Sequence, residues 1–238
     1  MYGYGYGYGY YGFDWTYMLL IIGMLLSLTA SAKLKSTFSY YRRIRSASGL
    51  TGAETAKRIL QAAGITDVHV RAISGSLTDH YDPRTKTVSL SEDIYGQTSL
   101  AAVGVAAHEC GHAIQHAIGY APLEFRSAIV PVANFGSSIA WPLIIIGLMM
   151  RGQIIIEIGI ICFSFAVIFQ LITLPVEFNA SGRAMRILRE TGILNSQELP
   201  MTGRVLRAAA MTYVASAASA ILQLLRLIIL YGGRRRNE

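Results

Sequence analysis

The segment His108-Glu109-Cys110-Gly111-His112 carries an H-E-x-x-H arrangement. Residues four apart share a helix face, so both imidazoles can reach one zinc ion. Glu109 then stands beside that ion, placed to take a proton from an activated water. A catalytic zinc takes three protein ligands and keeps one position open, so a third ligand must come from elsewhere. His116 continues the same face, but eight residues of helix span about 12 Å. Zinc–nitrogen bonds are near 2.1 Å, roughly a sixth of that span, so His116 is expected beside the site and not on the metal. The elongated H-E-x-x-H-x-x-G-x-x-H pattern is absent, because Gln115 stands where it has glycine. Glu177 is the better third ligand: it follows Pro175 at the end of an apolar run, where a carboxylate without a partner is costly. Glu124 and His80 stay open as alternatives. Glu157 falls at the opposite end of that run, and Glu190 and Glu198 lie farther along.

The motif needs a helix and a frame around it. Thr98 or Ser99 caps a helix over Leu100–Ile118. Thr51-Gly52-Ala53-Glu54 forms a capping box that opens a second helix to about Ala63, with Gly64 as its stop. Asp67–Ile73 reads as a short strand. Gly75–Ser91 reads as a hairpin, turning near Asp82-Pro83-Arg84 into an alternating strand over Thr85–Leu90. That second strand offers an edge on which an extended peptide could pair.

Composition sets the surroundings. The 238 residues are 53% hydrophobic and only 15% charged, against about 25% in soluble domains. This excludes a disordered chain and argues against an ordinary soluble enzyme. Two cysteines, Cys110 and Cys162, cannot build a disulfide scaffold. A net charge of +7 would suit nucleic acid or a membrane surface equally. The basic residues flank long apolar runs, so the partner expected is the lipid bilayer and not nucleic acid. Trp15–Ala32, Ala128–Met150 and Ile158–Val176 are charge-free and near the roughly 20 residues that a spanning helix needs. Ala208–Leu225 is also charge-free but rich in Ala, Ser and Thr, and either spans, lies at the interface or packs as a buried helix.

Ala30-Ser31-Ala32 resembles a signal-peptide cleavage site, but no Lys or Arg precedes the first run, whereas Lys33, Lys35, Arg42, Arg43 and Arg45 follow it. An uncleaved anchor with its N-terminus outside is expected, and the basic stretch after it reads as a juxtamembrane helix. Residues 33–127 hold eleven Lys or Arg, residues 151–153 one and residues 177–207 five. Both rich loops, and the active site with them, are therefore expected on the cytoplasmic side of the cell membrane. Arg234-Arg235-Arg236 runs against this count if the fourth run spans.

The chain resembles the YugP-type membrane zinc metallopeptidases. The likeness is carried by the early anchor, by His108-Glu109-Cys110-Gly111-His112 with Ala113-Ile114-Gln115-His116, by two closely spaced spans, and by Glu177-Phe178-Asn179-Ala180-Ser181. It covers nearly everything after the Tyr-Gly-rich start. More distantly the chain is similar to HtpX-like gluzincin membrane proteases. That resemblance implies His108, His112 and Glu177 as zinc ligands and Glu109 as base. It also marks one departure, Ser181 where those proteases have an Asp that supports a ligand His.

The expected fold class is mainly α: a polytopic membrane protein with 3–4 transmembrane helices and a small α+β zincin-like cytoplasmic domain. Its expected parts are a flexible tail (1–14), an anchor (15–32), the zincin-like domain (33–127), two spans (128–176), a cytoplasmic helix carrying the third ligand (177–207), a possible fourth span (208–231) and a basic tail (232–238). The expected function is that of a membrane-anchored zinc endopeptidase acting on a peptide or a membrane protein. Tyr120, Arg183 and Tyr213 are candidates to stabilise an oxyanion. A non-catalytic metal-binding scaffold is the alternative. A site-2-type intramembrane protease is disfavoured, because only eight apolar residues precede the motif in Leu100–Ala107.

Overall fold

The computed structural model describes residues 14–232. The expectations for the Tyr-Gly-rich start and the Arg234-Arg235-Arg236 tail lie outside these residues. In chain order the elements are α1 (Tyr17–Tyr41), α2 (Gly52–Ala62), β1 (His69–Ile73), β2 (His80–Asp82), β3 (Thr87–Ser91), α3 (Glu92–Tyr95), α4 (Leu100–Ala117), α5 (Ala121–Met149), α6 (Gln153–Glu190) and α7 (Glu198–Tyr231). The fold is mainly helical with one small sheet.

Four helices, α1, α5, α6 and α7, are long and apolar enough to cross a membrane. Their apolar side chains point outward: Phe135 is 67% exposed, Ile154 69% and Met149 80%. Such exposure suits lipid, where large apolar surfaces need no cover. α1 does not stop at the first charge but continues through Lys33 and Lys35 to Tyr41. α6 likewise runs through Pro175 and on to Glu190.

α1 and α7 lie antiparallel. Ser219 Oγ donates to the Gly23 carbonyl at 2.7 Å and meets Ser27 Oγ at 2.9 Å. At one end the Arg226 guanidinium lies 4.6 Å over the Tyr17 ring. At the other, Arg204 donates to the Tyr41 hydroxyl at 3.2 Å.

The remaining elements build a cap at that second end. Thr51 closes both bonds of its capping box with Glu54, and Ser99 Oγ accepts from Ala102 N at 3.2 Å. Gly64 sits at φ +70°, the left-handed stop after α2. The sheet order is β1-β3-β2, with β1 parallel and β2 antiparallel to β3. β3 is thus hydrogen-bonded on both sides and fully buried. This corrects the expectation that the strand after the turn offers a free edge. The edges belong to β1 and β2, because the chain before the hairpin returns to pair with β3.

At the centre runs α4, with Ala101, Ala102, Val103, Ala106, Ala107, Cys110 and Ala113 all buried. Side chains this small let three helices approach its axis. α2 packs on one flank, while α6 and α7 close the membrane side. A Cβ on Gly104 would lie 2.7 Å from Thr202 of α7, and one on Gly111 would lie 2.5 Å from the Ala180 carbonyl oxygen of α6. These two contacts fix how α4 crosses the long helices.

Candidate metal centre

The Gly111–Ala180 crossing decides what meets at the site. His108 and His112 stand one turn apart on α4, on either side of the contact. Glu177 and Ser181, also four apart, share the facing side of α6. The two pairs interlock. His108 Nε2 lies 3.2 Å and His112 Nε2 3.7 Å from the same oxygen, Glu177 Oε2. One ligand atom from each of the three residues falls within 4.8 Å of the others. Tetrahedral ligands at zinc bond lengths near 2.1 Å stand about 3.4 Å apart, so the set fits that ion. Glu177 is 2% exposed. A carboxylate so deeply buried needs partners, and it has the two imidazoles and the Tyr213 hydroxyl.

Both histidines are held from behind. Gln115 Nε2 donates to the Val176 carbonyl at 2.9 Å and to Asn179 Oδ1 at 3.0 Å. Its amide is thereby oriented, because a carbonyl can only accept. Gln115 Oε1 then faces His112 Nδ1 at 3.0 Å, and that ring nitrogen must carry the proton. The Nε2 lone pair is left for a metal. His108 Nδ1 bonds Ser181 Oγ at 3.1 Å. The serine hydroxyl thus reaches the ring from the α6 side.

Glu109 is buried beside this group but is not one of it. Burial pushes its carboxyl above the usual range. His108 and His112 pull the other way, and Glu177 and Asp79 add to the rise. Cys110, within the motif, points away: its thiol faces the Ala56 carbonyl at 3.6 Å.

The other candidates are not part of this ligand group. His116 Nδ1 bonds the Tyr81 hydroxyl at 2.8 Å and lines a separate cavity with Asp67 and Lys86. His80 is engaged through Nδ1 with the Thr78 carbonyl at 2.9 Å. Glu124 is exposed near Gly119. Tyr120 and Arg183 stack on each other, 5.7 Å from guanidinium to ring centroid. Tyr213 alone of the three oxyanion candidates lines the cavities at the metal group.

Two cavities meet at this point. One, walled by Leu34, Phe38 and Leu206, lies between α1 and α7. The other is lined by His80, Tyr81 and Pro83 at the edge strand β2 and by Arg126 of α5. Asp79, His108, Glu109, Glu177 and Tyr213 border both. Arg126 Nε is buried without a hydrogen bond among the described residues. Asp79 holds Ser91 through N and Oγ at 2.7 and 3.1 Å, and burial raises its carboxyl too. Neither residue was legible as a site residue in the sequence. Gln115 was within reach, since it lies three residues past His112 on the same helix face.

Comparisons with known proteins place the chain in a family. A family model described as "Putative neutral zinc metallopeptidase" matches residues 16–232. The "Putative membrane protease YugP" of Bacillus subtilis (strain 168) is 48% identical over 221 residues, which cover 92% of this chain and 98% of that protein. No solved structure matches.

Proposed function

The chain belongs to this neutral zinc metallopeptidase family, and from that membership we propose a membrane-embedded zinc endopeptidase of gluzincin type that works at the cytoplasmic surface of the bilayer. His108, His112 and Glu177 would hold the ion. Zinc bound there supplies activation of water and polarisation of the scissile carbonyl. Glu109 takes the proton of the attacking water and returns it to the leaving amine as the C–N bond breaks. Gln115 and Ser181 keep the two imidazoles turned with Nε2 inward. β2, the edge strand whose residues line the cleft, can pair with an extended substrate backbone. Tyr213 and Arg126 border the place where a substrate carbonyl would lie.

The observation that supports this reading most is the convergence on Glu177 Oε2 of two imidazoles from a helix more than sixty residues away in sequence. The cytoplasmic side rests on the basic residues of 33–127 and 177–207. α4 is not one of the four apolar helices, which favours a site at the membrane boundary over a site-2-type arrangement within the bilayer.

The test is Glu109→Gln in the full-length detergent-purified protein. Zinc content should stay at the wild-type level, while hydrolysis of a mixed peptide library falls at least about 100-fold. Unchanged hydrolysis in this variant, or a wild type that holds zinc and cleaves nothing in the library, would contradict the protease reading.

A further inference from the structure

The α1–α7 pair carries a second feature, apart from the metal centre. Two polar levels mark the ends of its apolar part. One is Tyr17 with Arg226. The other is Lys33, the first charge after residues 15–32, with Arg207, the last charge before residues 208–225. Tyr17 to Lys33 is about 24 Å of helix, and Arg207 to Arg226 about 28 Å. Both lengths match a hydrocarbon core of about 30 Å. Lys33 and Arg207 therefore stand at the headgroup level on the side of the metal centre.

At that level lies a cavity of about 450 Å³. Lys33, Arg204 and Arg207 border it, with Ser36 and Thr37, and no carboxylate lines it. The Tyr41 hydroxyl accepts from Arg204 and so orients that guanidinium. Among the described residues Lys33 and Arg207 make no ion pair, in contrast to Arg42 with Asp93 at 3.0 Å. The floor is apolar, formed by Ala208 and the exposed Met211.

We propose that this cavity binds the phosphate headgroup of an anionic phospholipid from the leaflet nearest the metal centre. The three cations that border it match a phosphate in charge. The apolar floor at the start of the charge-free run fits acyl chains, which a free phosphate lacks. The proposal rests on the reading of α1 and α7 as membrane-spanning and is independent of the peptidase reading. The headgroup would sit behind the wall of the catalytic cleft, since Leu34 and Phe38 on the other face of α1 border that cleft.

The test uses the full-length protein in detergent, with native mass spectrometry against phosphatidylglycerol, phosphatidylcholine and inorganic phosphate. The wild type should retain phosphatidylglycerol in preference to phosphatidylcholine. K33Q/R204Q/R207Q should lose about 100-fold in that affinity, since each basic contact is worth about fivefold. A control with equal loss of charge outside the cavity, R43Q/K57Q/R58Q, should lose less than about threefold. Should the triple variant fail to fold, R207Q alone carries the same test with about a fivefold loss. Equal loss in the control, undiminished retention in the cavity variants, or binding of inorganic phosphate as tight as that of the lipid would each overturn the proposal.

Discussion

Two helix crossings in this molecule use small residues for different ends. Where α4 meets α6, a Cβ on Gly111 would lie 2.5 Å from a backbone oxygen. Where α1 meets α7, a Cβ on Gly23 would lie 3.2 Å from Ser219 Cα. The first crossing is flanked by imidazoles, carboxylates and an oriented amide, the second by two serine hydroxyls. Close approach alone makes an anchor. A site arises where the residues one turn to either side can also complete each other's chemistry. In α4 and α6 the i, i+4 pairs His108/His112 and Glu177/Ser181 do so. The Gly23–Ser219 contact offers only the serine hydrogen bonds, each worth about 0.6 kcal/mol in a membrane.

The contrast can be broken at its strongest point with Gly111→Ala. Alanine favours helix by about 1 kcal/mol, so the helix itself should not suffer. The added methyl must push α6 away and part Glu177 from the histidines. Hydrolysis should fall about 100-fold, in line with a displacement near 1 Å, and zinc content should drop with it. Wild-type activity in this variant would mean that the crossing does not set the site.

Next in size is Gln115→Ala. It frees His112 Nδ1 and should weaken zinc binding by 10–100-fold, the range for groups that orient a ligand histidine. Ser181→Ala should sit at the lower end, about tenfold, because a neutral hydroxyl holds His108 less firmly than a carboxylate would. Competition with a chelator of known affinity measures both. Equal zinc affinity of Ser181→Ala and wild type would remove Ser181 from the centre. The smallest effect belongs to the other crossing: Ser219→Ala should cost about 1 kcal/mol or less in stability and leave zinc affinity unchanged. Loss of zinc there would join the two regions that the contrast separates.

How far the sequence discloses this centre depends on distance along the chain. The two histidines are legible because four residues make one helical turn. Glu177 is legible as an acid at the end of an apolar run, and Ser181 only as a departure from the pattern of the HtpX-like proteases that the chain resembles. The capping box at Thr51 and the hairpin turn follow from local chemistry, and both are formed. What local patterns do not carry is strand order. β1 pairs with β3 across the intervening hairpin, so the free edge beside the cleft is β2. Asp79 and Arg126 face the site only because the sheet and α5 close around α4. No spacing links them to the motif. The length of α6 is hidden in the same way. Pro175 reads as a helix breaker, yet α6 continues past it for fifteen residues.

Zinc content at matched free zinc, compared between Glu177→Ala and His116→Ala, tests the central claim most directly. Glu177 shares one oxygen between both motif histidines, while His116 is turned to Tyr81. Glu177→Ala should lose most of its zinc, with the protein still inserted in the membrane, and His116→Ala should keep about one ion per chain. Equal occupancy in the two variants would contradict the assignment of Glu177 and with it a metal centre built between α4 and α6.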